Sequence, residues 1–265
     1  MKIVRTIAEV RDELRPHRAG TTIGLVPTMG AFHDGHVALF RAALAVCDHV
    51  VASLFVNPTQ FGDPADLNAY PRDEARDARI AEDSGVEWLF VPSVAEMFAT
   101  GHATWVAIEG AAEGLEGERR PGHFRGVATV CLKLFAIVRP DLAFFGQKDA
   151  QQVAVVKQLV RDLNLDLEIR VVPTVRDDDG LALSSRNARL SAEERRRALA
   201  ISRALNAGQA AHLAGGDAVA AARAVLVGVT PEYVEIATFD GQPTLAIAAR
   251  VGSIRLIDNV PLGGR

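Results

Sequence analysis

The chain of 265 residues is 49% hydrophobic and 23% charged, so it can bury the core of one large domain, or of a large and a small one, and is not intrinsically disordered. Its formal net charge of −4 argues against a nucleic-acid-binding protein, which usually presents a net basic face. Two cysteines without CxxC spacing support neither a disulfide framework nor a thiolate metal site. No apolar run is long enough to cross a bilayer, and the first residues lack the apolar core of a signal peptide, so we expect a cytoplasmic protein.

Short runs rich in β-branched and aromatic residues alternate with amphipathic stretches over the first two-thirds of the chain. The predicted strands are Ile23–Val26, Val50–Val56, Glu87–Val91, Leu142–Phe145 and Leu167–Val172. The predicted helices are His36–Cys47, Arg72–Ser84, Gly126–Val138 and Ala150–Asn164. This alternation is typical of an α/β protein with a Rossmann-like, doubly wound parallel sheet, which binds ligands in the loops that follow its strands.

The pattern changes after Asn187. Ser191 and the two glutamates near it predict a helix N-terminus, followed by an Ala- and Arg-rich helix to about Gly215 and then a second helix. Short strands are predicted at Tyr233–Ile236 and Ser253–Ile257. We therefore expect a larger domain over residues 1–175 and a smaller C-terminal α+β domain over residues 176–265.

The first predicted strand leads into Pro27-Thr-Met-Gly-Ala-Phe-His33-Asp-Gly-His36 and then into an apolar helix. A glycine-containing loop at a helix N-terminus offers backbone N–H donors and a positive dipole end to an anion. The imidazoles of His33 and His36 can add hydrogen bonds to phosphate oxygens, whose developing charge must be stabilised during phosphoryl transfer. His-x-x-His could also be half of a metal site, but no third ligand with suitable spacing is nearby. The position of both histidines at a strand-to-helix junction favours phosphate binding.

Two later loops carry polar side chains whose pattern has two explanations. Phe55-Val-Asn57-Pro-Thr-Gln60-Phe-Gly follows the second predicted strand, and its two amides suit a small polar ligand, although an ordinary Asn-Pro turn explains this stretch alone better. Arg119-Arg120-Pro-Gly-His123-Phe-Arg125-Gly precedes a long apolar helix and is either an anion clamp or an exposed basic loop.

A second strand-to-helix turn is Phe145-Gly146-Gln-Lys148-Asp149-Ala-Gln151-Gln152. Gly146 lets the backbone approach a nucleotide, Lys148 can place a charge on a phosphate, and Asp149 can cap the helix or bind a ribose.

The last motif is Gly180-Leu-Ala-Leu183-Ser184-Ser185-Arg186-Asn187. Its two hydroxyls and guanidinium form a candidate phosphate clamp, and a plain Ser-rich linker is the alternative. The HxGH element upstream favours the clamp.

The HxGH element resembles the adenylate-forming nucleotidyltransferase superfamily, which also includes class I aminoacyl-tRNA synthetases. The conjunction of PTMGAxHxGH, FVNPxQF, RPGHFRGV, FGxKDxQQ and SSRN is similar to the pantothenate synthetase family, over about Gly24 to Asn187 and more weakly at Arg255-Leu-Ile-Asp-Asn. Phe32 and Leu183 depart from the family's usual leucine and methionine but remain apolar. Ile236-Ala-Thr-Phe-Asp lacks an Asp expected soon after the strand.

The resemblance implies an ATP-dependent ligase that joins pantoate to β-alanine through a pantoyl adenylate, with Mg²⁺ bound to ATP. It implies these catalytic residues: His33, His36, Lys148, Ser184, Ser185 and Arg186. It implies further ATP contacts from Pro27, Thr28, Met29, Gly146 and Asp149. It places pantoate or β-alanine near Met29, Asn57, Gln60, Gln152, Arg120 and His123, and suggests Asp77 as a metal contact. It also implies a homodimer, with no nucleic-acid or membrane partner and with the C-terminal domain acting as a lid.

Three alternatives stay open at this point. A nucleotidyltransferase that moves AMP onto a phosphate acceptor shares HxGH, but such relatives are often shorter and lack the FVNPxQF and RPGHF pair. A truncated tRNA-synthetase-like protein conflicts with the acidic charge balance. A binding protein without activity conflicts with the intact set of polar motif residues.

Overall fold

The structure, a computed structural model, describes residues 1–263 and divides into two compact units. The first unit comprises Met1–Gly146 and Gln151–Val172. The second comprises Gln147–Ala150 and the chain from Pro173 onward. The division thus falls after Val172, where the sequence suggested residue 175, and it assigns the turn 147–150 to the second unit. The last two residues of the predicted domain 176–265 lie outside the described chain.

The first unit is built on a six-stranded parallel sheet, as predicted. Its strands are β1 (Lys2–Val4), β2 (Ile23–Thr28), β3 (His49–Leu54), β4 (Trp88–Phe90), β5 (Leu142–Gly146) and β6 (Glu168–Val172). Their spatial order is β1-β4-β3-β2-β5-β6. The five predicted strands are confirmed, whereas the three-residue strand β1 was not predicted.

Strand β2 lies at the point where the strand order reverses, because the chain builds outward from β2 to β3 and β4 and then returns to add β5 on the other side. In doubly wound sheets the ligand crevice lies outside the carboxyl ends of the strands at this switch point. The loops that follow β2, β3 and β5 are those that carry the sequence motifs.

Helices cover both faces of this sheet, as a parallel sheet requires. They are α1 (Ile7–Leu14), α2 (Asp34–Leu44), α3 (Pro64–Asn68), α4 (Glu74–Asp83), α5 (Val94–Met97), α6 (Leu115–Arg119), α7 (His123–Val138) and α8 (Ala150–Asp162). Adjacent strand residues enter different apolar clusters. Leu25 belongs to the cluster that includes Val127 and Leu159, and Val26 to the one that includes Phe32 and Phe40. Two buried layers therefore sandwich the sheet and fix the loops at its carboxyl edge.

The second unit is a small α+β fold, as predicted. Helices α9 (Ala192–Leu213) and α10 (Ala218–Val225) pack with an antiparallel sheet of β7 (Thr230–Phe239), β8 (Gln242–Val251) and β9 (Ile254–Pro261), in the order β7-β8-β9. Ser191 caps α9 in a capping box with Glu194, which confirms the predicted helix start. The central strand β8 was not predicted. Among the described residues, no helix is both long and apolar enough to span a bilayer.

Candidate active site

The loop between β2 and α2 turns sharply at Gly30 and Ala31, which have φ values of 83° and 54°. Asp77 on α4 holds this turn: its Oδ2 accepts from the backbone N–H of Ala31 at 2.7 Å and its Oδ1 from that of Phe32 at 2.8 Å. Asp77 is only 1% exposed, and burial raises the pKa of its carboxyl against the opposing effect of these two donors. The predicted metal contact is therefore a residue that shapes the histidine-bearing loop.

The two histidines of the HxGH element form the capping box of α2. The backbone N–H of Gly35 donates to His33 Nδ1 at 3.1 Å, and the backbone N–H of His33 donates to His36 Nδ1 at 3.3 Å. Since both Nδ1 atoms are acceptors, the proton of each neutral ring is on Nε2. Both imidazoles are thus held in a tautomer that can donate from Nε2.

Packing fixes the histidines further. Their ring centroids are 4.2 Å apart, and the His36 ring lies 5.2 Å from that of the fully buried Phe32. The rings lie at the positive end of an eleven-residue helix. This arrangement presents oriented N–H donors and a helix dipole to an anion at the carboxyl edge of the sheet.

The backbone that precedes the histidines is equally fixed. Pro27 and Thr28 end β2, and the Thr28 hydroxyl donates to the carbonyl oxygen of Ser53 at 2.5 Å. Met29 follows, and its sulfur accepts from Gln60 Nε2 at 3.1 Å. The segment for which adenosine contacts were predicted therefore adjoins the turn at Asn57 and Gln60.

In that turn, which follows β3, the side-chain amide of Asn57 orients the side-chain amide of Gln60. Asn57 Nδ2 donates to Gln60 Oε1 at 3.0 Å and to the carbonyl oxygen of Gly126 at 3.2 Å. The Asn57 oxygen accepts from the Thr59 hydroxyl at 2.8 Å and from the Thr59 backbone N–H at 3.3 Å. Asn57 is 1% exposed and Gln60 7%. Asn57, predicted as a ligand contact, is used within the protein to set the Gln60 amide.

Residues of the RPGHF motif hold the same turn through its backbone. His123 Nδ1 lies 2.9 Å from the carbonyl oxygen of Gln60, and Arg120 Nη2 donates to that oxygen at 3.4 Å. Arg120 Nη1 lies 3.2 Å from His123 Nε2. His123 is buried at the first residue of α7. The structure thus brings these four predicted residues together: Asn57, Arg120 and His123 all bind Gln60 and hold it in place.

Close packing of α7 against this turn depends on Gly126, which the sequence analysis did not single out. A Cβ atom at Gly126 would lie 2.5 Å from the carbonyl oxygen of Thr59 and 2.8 Å from the backbone nitrogen of Gln60. Only glycine permits this approach.

The two glutamines at the start of α8 differ in environment. Gln151 is buried, and its side chain binds the segment 111–116 through the carbonyl oxygens of Ala111, Glu113 and Gly114 and the backbone N–H of Glu116. Gln152, the predicted ligand residue, is half-buried. Gly146, predicted to contact the nucleotide, is the last residue of β5.

The remaining predicted residues belong to the second unit. Lys148 Nζ lies 3.7 Å from the Asp149 carboxylate, and both residues occupy a 3₁₀ turn. Ser184 caps a second 3₁₀ turn, Ser185–Arg189, by accepting from the backbone N–H of Arg186 at 3.3 Å. Lys148 and Ser184 line one small cavity of about 10 Å³, enough for about one water molecule. The structure therefore brings the predicted lysine and serine together.

Within residues 1–263, no group of three or more His, Cys, Asp or Glu side chains is arranged to hold a metal ion. Asp77, the suggested metal contact, has both carboxylate oxygens bound to backbone N–H groups. The described residues therefore do not fit a metal site made by the protein alone.

Comparison with known proteins decides the family. The family model for pantoate-beta-alanine ligase matches residues 2–261. The chain belongs to the pantoate-beta-alanine ligase family. The predicted resemblance is thus confirmed, and so is the assignment to the ligases.

Relatives of this ligase family match along their whole length. Pantothenate synthetases of Acidobacterium capsulatum and Pelotomaculum thermopropionicum are each 50% identical, covering 99% of this chain and 97% and 99% of theirs. The crystal structure of pantothenate synthetase from Thermus thermophilus superimposes with a TM-score of 0.94 at 42% identity, covering 99% of both chains. A pantoate-beta-alanine ligase from Francisella tularensis, complexed with beta-gamma ATP and beta-alanine, gives a TM-score of 0.88 at 35% identity, covering 99% of this chain and 98% of that one. The alternatives based on other families are set aside.

Proposed function

We propose that this member of the pantoate-beta-alanine ligase family condenses pantoate with β-alanine at the expense of ATP, through a pantoyl adenylate. The observation that carries the mechanism is the histidine capping box of α2, in which both Nδ1 atoms accept from backbone N–H groups, so that each neutral ring has its proton on Nε2. Family membership supports the choice of substrates.

In the first step, a carboxylate oxygen of pantoate attacks the α-phosphorus of ATP. A new O–P bond forms, the bond from the α-phosphorus to the bridging oxygen breaks, and pyrophosphate leaves with the electron pair. Negative charge grows on the phosphorus oxygens, and donors fixed in advance stabilise it without reorganisation. We assign this role to His33 and His36, whose Nδ1 atoms are held by backbone N–H groups.

Pantoate binding is assigned to Gln60 and Gln152. Because Gln60 Oε1 accepts from Asn57, its amide is fixed with the nitrogen toward Met29 and available to donate to a pantoate oxygen. Asn57, Arg120 and His123 act by holding this amide and its backbone.

In the second step, the amine of β-alanine attacks the acyl carbon of the adenylate. The C–N bond forms, the C–O bond to AMP breaks, and the amine proton is lost to solvent or a base. An adenylate hydrolyses readily, so water must be excluded until the amine arrives.

Residues of the second unit are assigned to the nucleotide phosphates. Lys148 binds them through both steps, and Ser184, Ser185 and Arg186 bind the β- and γ-phosphates. Asp149, together with Gly146 and the backbone of Pro27–Met29, contacts adenosine. Mg²⁺, where it accompanies ATP, would neutralise part of the negative charge on the phosphates that Lys148, Ser184, Ser185 and Arg186 are assigned to bind.

We further propose a homodimer in the cytoplasm, on the basis of the family resemblance. Light scattering coupled to size exclusion tests the dimer, since a mass close to that of a single chain at micromolar concentration contradicts it.

The decisive test is ATP–pyrophosphate exchange with labelled pyrophosphate, with and without pantoate and before any β-alanine is added. Exchange should require pantoate, and His36→Ala should slow it by about 10²-fold or more, as loss of one charge-stabilising donor typically does. His212→Ala, in the last turn of α9, is the matched control and should retain the wild-type rate. Pantoate-independent exchange, or a wild-type rate in His36→Ala, contradicts the proposal.

A further inference from the structure

Two adjacent polar residues, Asp258 and Asn259, are buried on β9, with exposures of 4% and 6%. Strand β9 is an edge strand of the three-stranded sheet. Successive side chains of a strand point to opposite faces, so the two residues can bind different segments. Each binds a segment of the second unit that contains, or leads into, a residue assigned above to the phosphates.

Asn259 binds the turn that carries Lys148. Its Nδ2 donates to the carbonyl oxygens of Gln147 at 3.0 Å and Lys148 at 2.8 Å, and its Oδ1 accepts from Gln147 Nε2 at 3.4 Å. One side chain therefore satisfies two consecutive carbonyl groups of this turn. Removing it leaves both carbonyls without that donor and frees the backbone of Lys148 to shift.

Asp258 binds the hairpin that leads into Ser184. Its carboxylate accepts from Arg176 Nη1 at 2.7 Å and from Arg176 Nη2 at 3.1 Å, a bidentate pair. Arg176 also donates to the carbonyl oxygen of Gly180 at 3.2 Å, and its backbone pairs with Ala182 in an isolated bridge. The hairpin 176–182 is thus fixed at its start and at Gly180, and it ends two residues before Ser184.

Both anchored segments border the same space. Lys148, Ser184 and Asp258 line the small cavity described above. A shift of either segment therefore changes the distance between the lysine and the serine.

We propose that Asp258 and Asn259 are a pair of positioning residues for ATP phosphate binding. Asn259 acts through Lys148, and Asp258 acts through the hairpin 176–182, which ends two residues before Ser184. The inference rests on the function proposed for Lys148 and Ser184. Both side chains bind other residues of the protein, so we assign them a positioning role and not a catalytic one.

The test is a double-mutant cycle of Asn259→Ala with Lys148→Ala, read by pantoate-dependent pyrophosphate exchange and by ATP affinity in calorimetry. Asn259→Ala should slow exchange about 10- to 10²-fold, as a displacement near 1 Å typically does, and leave the KM for pantoate unchanged. In the Lys148→Ala background, Asn259→Ala should lower the exchange rate and the ATP affinity only slightly further, because its effect passes through the lysine. Asp258→Asn should couple in the same way to Ser184→Ala.

Gln209→Ala is the matched control. Gln209 also donates an amide N–H to a carbonyl oxygen in the second unit, that of Pro261 at 2.9 Å, but does not bind the turn 147–150. The Gln209→Ala variant should retain the wild-type exchange rate and the wild-type ATP affinity. If Asn259→Ala does not fold, Asn259→Asp keeps the shape, replaces the donor with an acceptor, and should show the same coupling.

Full additivity of Asn259→Ala with Lys148→Ala, or wild-type exchange and ATP affinity in the single variant, overturns the inference. Failure of the proposed function is distinguishable, because wild-type protein would then show no pantoate-dependent exchange. The calorimetric cycle still decides the positioning role in that case, through coupled or additive losses of ATP affinity.

Discussion

Replacing Gly126 with alanine should weaken pantoate binding while the protein stays folded. The new Cβ would lie 2.5 Å from the carbonyl oxygen of Thr59, where ordinary contact begins near 3.4 Å. Helix α7 or the turn must therefore move by about 0.9 Å, the difference between these distances. The turn has little freedom to yield elsewhere, because Asn57 and His123 also hold it. The movement therefore displaces Gln60, whose backbone nitrogen would lie 2.8 Å from the new Cβ.

The effect on stability is the balance of two opposing terms. Overpacking costs about 1–3 kcal/mol, and the better helix propensity of alanine returns about 1 kcal/mol, so the net loss is about 0–2 kcal/mol. The effect on binding arises separately, from the displacement of Gln60, because misplacing a positioning group by about 1 Å can cost about 10²-fold. We expect the KM for pantoate to rise about 10-fold or more, with little change in the KM for ATP.

Steady-state kinetics with each substrate varied, together with thermal unfolding, measures both effects. Gly208→Ala is the matched control, because its Cβ would lie 2.4 Å from Leu245 Cδ2 and 2.8 Å from the carbonyl oxygen of Ala218. It should lower Tm at least as much while the KM for pantoate stays at its wild-type value. An unchanged KM for pantoate in folded Gly126→Ala would refute the reasoning.

Asp77→Asn should slow single-turnover adenylate formation about 10-fold or more, because one of the two backbone N–H groups it binds then faces an amide N–H. The pKa of Glu232 is lowered, since burial raises it but Arg255 and Arg250 outweigh burial. Glu232 therefore stabilises the fold above its unfolded pKa near 4.5, and this contribution is lost as pH falls through the folded pKa. In urea unfolding, the stability difference between wild type and Glu232→Gln should shrink below about pH 4.5. Burial raises the pKa of Cys47 to about 11 from 9.0. Iodoacetamide should therefore alkylate Cys47 about 10²-fold more slowly at pH 8 than an unperturbed thiol.

Each of these expectations has a clear contrary result. Wild-type adenylation by Asp77→Asn would mean that the loop keeps its shape without the carboxylate. A stability difference for Glu232→Gln that stays constant or grows on acidification would contradict the lowered pKa. Alkylation of native Cys47 as fast as that of a small-molecule thiol would contradict its burial.

The parallel sheet could be predicted because its strands are continuous apolar runs bounded by turn residues, as at Val50–Leu54. Strand β8 could not be predicted from hydrophobicity alone. It is the central strand of its sheet, and its residues 244–249 are all buried, so this run lacks alternation. Its alanines also have low strand propensity. A local signal was present nonetheless: Asp240-Gly241, with φ values of 51° and 78°, is a two-residue hairpin turn between β7 and β8.

The sequence predicted a set of candidate site residues, and the structure adds the contacts that several of them make within the protein. His33 and Lys148 were singled out because their residue types suit phosphate. Gln60 was assigned a ligand only through the family resemblance, since an ordinary Asn-Pro turn explained its own stretch better. Asn57 and Asp77 suit ligands just as well, but their bonds go to the protein itself. Which partner a polar side chain takes depends on contacts between residues distant in sequence, such as Asp77 with Ala31, and composition does not encode these.

The turn 147–150 has a consequence for dissecting this protein. The chain passes from the first unit to the second after Gly146, returns after Ala150, and passes over again after Val172. A fragment that ends at residue 172 would retain Lys148 but lose Asn259, the side chain that binds its carbonyl. Neither unit is therefore one continuous segment of the chain, and exchanging the chain after residue 172 between homologues also exchanges the residue that supports this lysine.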